Sequence, residues 1–85
     1  MEEYKIVFKN SVQKDLSKIP KKDVKRIIST IKSLAKDPRP LAAKKLSARE
    51  RYRIRQGNYR ILYSIEDDKL VVCVVKVGHR QDVYR

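Results

Sequence analysis

Cysteine, glycine and acidic residues are all scarce in this chain, and each shortage closes off a class of function. The one cysteine, Cys73, has no internal partner for a disulfide, so a reducing cytosol is the expected compartment. Only Gly57 and Gly78 are present, which is too few for a glycine-rich loop that cradles a phosphate. One cysteine, one histidine and dispersed carboxylates meet no zinc-ligand spacing, so neither a metal nor another cofactor is expected. No apolar run is long enough to span a bilayer, and no signal-peptide hydrophobic region follows Met1. A cytoplasmic chain of 85 residues forming a single domain over 1–85, with a thin core, is the expectation.

Basic residues, in contrast, are abundant. Twenty-two lysines and arginines against ten acids give a formal charge of +12 and an isoelectric point near 10.1. That imbalance points to nucleic acid, an anionic surface or an acidic protein partner. The two cations are also segregated: the helical segments carry mostly lysine. Arginine, whose planar fork suits bidentate phosphate contacts, concentrates between residues 51 and 60.

That stretch organises the chain. Arg51, Arg53 and Arg55 alternate with Tyr52 and Ile54, and Tyr59 to Ile65 repeats the period-2 pattern of a strand with one apolar and one solvated face. Gly57-Asn58 between them suits a two-residue hairpin turn whose first central residue takes positive φ. The turn predicts pairs Gln56 with Tyr59, Arg55 with Arg60, Ile54 with Ile61, Arg53 with Leu62 and Tyr52 with Tyr63. Gln56, Tyr59, Tyr52, Ile54, Ile61 and Tyr63 then share an oily face, while Arg53, Arg55 and Arg60 gather at the turn end of the other. Like charges opposed on a sheet repel, and a polyanion relieves them.

Upstream, Tyr4, Ile6 and Phe8 alternate with lysines and predict a strand over about 3–9. Asn10 is placed as the N-cap of a short helix, with Gln13 three residues on as in a capping box, Val12, Leu16 and Ile19 on one face, and Pro20 as its end. From Lys21 to Lys36, Val24, Ile27, Ile28, Ile31, Leu34 and Ala35 follow helical spacing. Asp37-Pro38-Arg39-Pro40 stops that helix and opens a loop that Leu41 and Leu46 are expected to tack to the core. Glu66 to Lys69 reads as a turn. Leu70 to Val77, apolar at nearly every position, reads as an interior strand ended by Gly78. The order is β-α-α-β-β-β, an α+β fold with a helical hairpin on a small, mainly antiparallel sheet.

Chemistry without metal or cofactor narrows the options. RNA is cleaved by its own 2′-hydroxyl when cations stabilise the developing charge and a proton donor serves the leaving oxygen. Arg53, Arg55, Arg60 and Arg80 are candidates for the first role, and His79 and Tyr84 for proton transfer. An arginine face serves plain RNA binding equally well. Lys44, Lys45, Arg49, Arg51 and Arg85 are candidate RNA-binding residues.

Leu46, Tyr52-Arg53-Ile54-Arg55, Gly57-Asn58-Tyr59-Arg60-Ile61-Leu62-Tyr63 and Val77-Gly78-His79-Arg80-Gln81-Asp82-Val83-Tyr84 resemble the RelE branch of the RelE/ParE toxin superfamily. The opening strand and helical hairpin, with Leu16-Ser17-Lys18-Ile19-Pro20, fit as well, so the resemblance covers essentially the whole chain. It implies the toxin of a type II toxin–antitoxin pair, with a small acidic RelB-like antitoxin as partner. It also implies a ribosome-dependent endoribonuclease that cuts messenger RNA in the A site. Arg60 and Arg80 match the family's phosphate-stabilising arginines, and Tyr84 matches a tyrosine that orients the substrate. Arg53, Arg55 and His79 stand where the best-known RelE-type sequence has lysines, and related toxins use a C-terminal histidine in catalysis. Two other readings are a ParE-like toxin that binds DNA gyrase without catalysis, and a ribosomal-RNA-binding module without cleavage activity.

Overall fold

The computed structural model describes residues 3–46 and 50–79. The elements are β1 (Lys5–Phe8), α1 (Asn10–Ser17), α2 (Lys21–Ser33), β2 (Lys44–Lys45), β3 (Arg51–Gln56), β4 (Tyr59–Glu66) and β5 (Val71–His79). The sheet runs β1-β5-β4-β3-β2. β1 pairs with β5 in parallel and every other pair is antiparallel. Two helices on a mainly antiparallel sheet are the α+β arrangement expected from the sequence.

Both helices lie on one face of the sheet, and the apolar spacing explains why. Val12 of α1 and Ile27, Ile31 and Leu34 at or beside α2 recur at helical intervals, and all four are fully buried. They meet Tyr52, Ile54, Ile61, Tyr63, Ile65, Val72, Val74 and Val77, the inward-facing residues of β3, β4 and β5. Pro20 ends the first helix and starts the second, since its carbonyl accepts the N–H groups of Asp23 at 2.9 Å and Val24 at 3.0 Å.

Several local expectations are corrected. Asn10 is the first residue of α1 rather than its cap; Lys9 holds that position, and no side chain caps the helix. α2 stops at Ser33, because Leu34 to Asp37 make tight turns back onto Ile31, Lys32 and Ser33. The first strand is shorter than expected, and a two-residue strand, β2, lies in what the sequence presents as loop. Leu41 and Leu46 do not tack that loop to the core, since both are exposed. Tyr63, fully buried, does so instead by donating its hydroxyl to the Pro38 carbonyl at 2.7 Å. β5 runs through Gly78 to His79. Residues 80–85, expected to return along the sheet edge or over its end, lie outside the described residues.

One irregularity in β5 decides what stands at the sheet's end. Leu62 pairs with Lys76 and Tyr63 with Val74, so Val75 is an extra residue without a partner. The bulge shifts the alternation by one place: Val77 and His79 face the helices, and Lys76 and Gly78 face away. Asp15 of α1 supports the shift by accepting the Val77 N–H on Oδ2 at 3.2 Å. Without the bulge the strict alternation after Val74 would turn Lys76 into the core.

Candidate nucleic-acid interface

The hairpin forms as its sequence dictates. Gly57 takes φ +61° in the turn, and the observed register pairs Gln56 with Tyr59, Arg55 with Arg60, Ile54 with Ile61, Arg53 with Leu62 and Tyr52 with Tyr63. Tyr52 and Ile54 are buried on the helix side. Arg51, Arg53 and Arg55 therefore face the opposite side, where Arg60 joins them. Lys44 pairs with Arg53 and so belongs to this face, whereas Lys45 pairs with Tyr52 and belongs to the other. Arg60 also pairs with Gly78 on its β5 side, so no side chain from that neighbour stands over it.

The outcome is a sheet face carrying Lys44, Arg51, Arg53, Arg55 and Arg60, with Arg55 and Arg60 directly opposed at the turn end. Arg51 and Arg55 are exposed, while Arg53 and Arg60 are half-buried. Cross-strand neighbours have Cβ atoms roughly 5 Å apart, so the two guanidinium groups share one patch. Such a patch binds the non-bridging oxygens of a phosphate through several charge-assisted hydrogen bonds.

His79 is separated from that patch. It pairs with Tyr59 and stands on the helix side of the sheet, with its ring at 85° to the Tyr59 ring and 5.9 Å between centroids. It is exposed and lies beside the hairpin tip, so it shares an end of the sheet with Arg55 and Arg60 but not a face. Arg49, Arg80, Tyr84 and Arg85 lie outside the described residues.

Two features were not read from the sequence. At the far end of the sheet, Arg39 gathers three elements. Its guanidinium donates to both Asp67 oxygens at 3.0 and 2.8 Å, to Glu50 at 2.8 Å and to the Tyr52 hydroxyl at 2.9 Å. Tyr4 donates to Asp67 at 2.6 Å. The Arg39 guanidinium, with help from Tyr4, holds the Asp67 carboxyl down to about 2, and Glu50 is lowered by Arg39 and then Tyr52. No spacing rule announces this network, since its members are far apart in sequence. The second feature is a cavity of about 220 Å³ lined by Asp23, Arg26, Gln56, Gly57, Asn58, Tyr59 and His79. Its signal was available: Gln56 and Tyr59 are the polar positions on an otherwise oily hairpin face. Burial, and then the nearby Asp23 carboxylate, raises the Tyr59 hydroxyl above its ordinary pKa. Among the described residues, no group of His, Cys, Asp and Glu is arranged to hold a metal ion, and no helix is long and apolar enough to cross a membrane.

Fold and site together define a small basic α+β protein whose sheet turns an arginine face away from its helices. A family model described as the ParE toxin of type II toxin–antitoxin systems, parDE, matches residues 6–84. The toxin RelG of Mycobacterium tuberculosis is 31% identical over 86 residues, covering 96% of this chain and 97% of that protein. The toxin–antitoxin complex RelBE2 of the same organism contains a chain that superposes with TM-score 0.81 at 27% identity, covering 92% of this chain and 99% of its own. The isolated RelE toxin of Escherichia coli gives TM-score 0.80 at 27% identity, covering 95% and 90%. This chain belongs to the ParE toxin family of type II toxin–antitoxin systems, as a toxin of the RelE type.

Proposed function

We propose that this toxin is a ribosome-dependent endoribonuclease that cuts messenger RNA in the ribosomal A site without a metal ion. The observation that carries the reading is the opposed pair Arg55 and Arg60 on the sheet face turned away from the helices, flanked by Arg53. Three guanidinium groups held together by strand register are pre-organised for the charge that grows on a phosphorane, where electrostatic stabilisation is usually the largest single contribution.

In the proposed reaction the 2′-oxygen attacks the adjacent phosphorus and loses its proton, and the bond from phosphorus to the 5′-oxygen breaks. The departing 5′-oxygen takes up a proton, and a 2′,3′-cyclic phosphate and a 5′-hydroxyl result. Arg53, Arg55 and Arg60 hold the phosphate oxygens. Arg80 and Tyr84 join them by family resemblance, as phosphate binder and substrate-orienting ring. His79 carries proton transfer, because a guanidinium seldom releases a proton and arginines stand at 53 and 55. From its place on the helix side, its imidazole reaches the scissile phosphate only around the end of β5. Lys44, Lys45, Arg49, Arg51 and Arg85 bind ribosomal RNA. The site of action is therefore cytoplasmic.

The partner in this reading is an acidic RelB-like antitoxin. The RelBE2 structure from M. tuberculosis and the intact RelBE structure from E. coli are both toxin–antitoxin complexes. A net charge of +12 favours fast, salt-sensitive association with an acidic chain.

A gyrase-binding toxin is the rival, favoured by the parDE description of the matching family model. Incubation with programmed ribosomes, with naked messenger and with gyrase plus relaxed plasmid separates the two. The ribonuclease reading expects new messenger ends only where ribosomes are present and no effect on supercoiling. Blocked supercoiling with intact messenger would refute it.

A further inference from the structure

Of the cavity on the helix side of the hairpin tip, only His79 enters the chemistry above, and the make-up of the lining differs from that of the arginine face on the other side of the hairpin. Asp23 and Arg26 balance one another in charge, and Gln56, Asn58, Tyr59 and His79 supply amides and rings. A phosphate site concentrates cations, as the other side of the same hairpin does. A carboxylate beside the ligand opposes an anion and suits a neutral, polar ring. The volume of about 220 Å³ lies below the roughly 300–1,000 Å³ of pockets for drug-sized ligands, so one ring system fits.

The polar groups are oriented in advance. Thr30 donates to the Gln56 carbonyl oxygen at 2.6 Å, and the two amide N–H groups of Gln56 donate to no partner among the described residues. The Tyr59 hydroxyl reaches Asp23 Oδ2 at 3.4 Å, and Asp23 Oδ1 makes no hydrogen bond among the described residues. Tyr59 and His79, at right angles, form an aromatic corner against which a base can pack. A carboxylate offers two adjacent acceptors, and among the four RNA bases guanine alone presents two adjacent donors, N1–H and the N2 amine. Its O6 and N7 acceptors then suit the Gln56 amide and the Arg26 fork.

We propose that this cavity binds an unstacked guanine base of an RNA strand that passes over the hairpin tip, its phosphates lying on the arginine face. The source of that RNA rests on the ribonuclease reading. Placement supports the path: Gln56 and Tyr59 face the cavity, and the next rung, Arg55 and Arg60, faces the opposite side. Only Gly57-Asn58 closes the hairpin between them, and a Cβ built at Gly57 meets nothing within 4 Å, so the tip is open.

Nitrogen-15 labelled protein titrated with GMP, AMP, CMP and UMP tests the site without any cleavage. GMP is expected to shift the amides of Gln56, Gly57, Asn58 and His79 at about tenfold lower concentration than the other three, the scale of one good bidentate base contact. The Asp23→Asn variant should lose that advantage while its remaining amides stay in place. Equal affinities, or shifts confined to Arg53, Arg55 and Arg60, would overturn the proposal. Mapping cut ends on programmed ribosomes then identifies the source. A profile that Asp23→Asn moves away from guanine assigns the base to the messenger, and an unchanged profile with weaker ribosome binding assigns it to ribosomal RNA. Cleavage and ribosome binding both unchanged overturn the role in RNA recognition. A parent chain that cuts nothing refutes the ribonuclease reading, and the nucleotide titration still decides the cavity.

Discussion

Replacing Arg60 by alanine separates a phosphate-binding arginine from a surface charge. Its side chain lies on the face opposite the core and directly across from Arg55. Removing it relieves a like-charge pair worth roughly 0.2–1 kcal/mol and exposes the apolar surface that its half-buried stem covers. These effects oppose one another, so the expected change in folding free energy is within about 1 kcal/mol. At the scissile phosphate there is no such offset. Loss of one pre-organised donor at a centre of developing charge costs about 3 kcal/mol, which is about 150-fold in rate. Circular dichroism and thermal melting measure the first quantity, and single-turnover cleavage on programmed ribosomes measures the second. Arg55→Ala relieves the same like-charge pair and is the matched control for the stability measurement alone, and Arg60→Lys keeps charge but loses the planar fork, so an intermediate rate is expected. A folded Arg60→Ala protein that cuts at the parent rate refutes the assignment of the arginine face to the phosphate.

His79→Gln should lower single-turnover cleavage by about 10²–10⁴-fold with ribosome affinity nearly unchanged, the usual scale of general acid–base catalysis; a rate and pH profile matching the parent would return the search to Tyr84 and solvent. Tyr63→Phe leaves the buried Pro38 carbonyl without its 2.7 Å donor, so stability should fall by about 1–2 kcal/mol, roughly 5–15 °C in melting temperature for a domain of this size. Cleavage per folded molecule should not change, and a melting temperature equal to the parent's would mean that the hydroxyl does not anchor the loop. Acid should loosen the far end of the sheet: Asp67 is held at about 2 against an ordinary 3.8. Because its folded pKa is depressed, its contribution is complete above the ordinary value and disappears as pH falls from about 4 toward 2. Urea melts of parent and Asp67→Asn across that range should show a flatter slope for the variant, and identical slopes would dismiss the Arg39 network as a source of acid sensitivity.

Sequence and structure divide at a physical boundary. The hairpin was legible residue by residue, down to its register, because period-2 alternation fixes the faces and a glycine able to take positive φ fixes the turn. Both are encoded within a dozen consecutive residues. The two helices were legible for the same reason, although their ends were not, since a helix stops where packing and turn hydrogen bonds compete with propensity. The expectation of an Asn10 cap failed because capping depends on the backbone geometry at the junction, which Lys9 supplies in this chain.

What the tertiary structure alone decided lies in contacts between residues distant in sequence. The Arg39 network joins the residue before β1, the loop before β2, the start of β3 and the turn after β4, and none of those partners is marked by local spacing. The position of His79 is the sharper case. Uninterrupted alternation from Val74 would have placed it with the arginines; the extra residue Val75 reverses its face. That reversal depends on Asp15, which takes up the Val77 N–H from 62 positions away in the chain. A bulge is a one-residue change of phase, and a periodic sequence pattern carries no record of it. The sequence by itself therefore determined the arginine face, and only packing between α1 and β5 decided which catalytic candidate stands on the opposite side of the sheet.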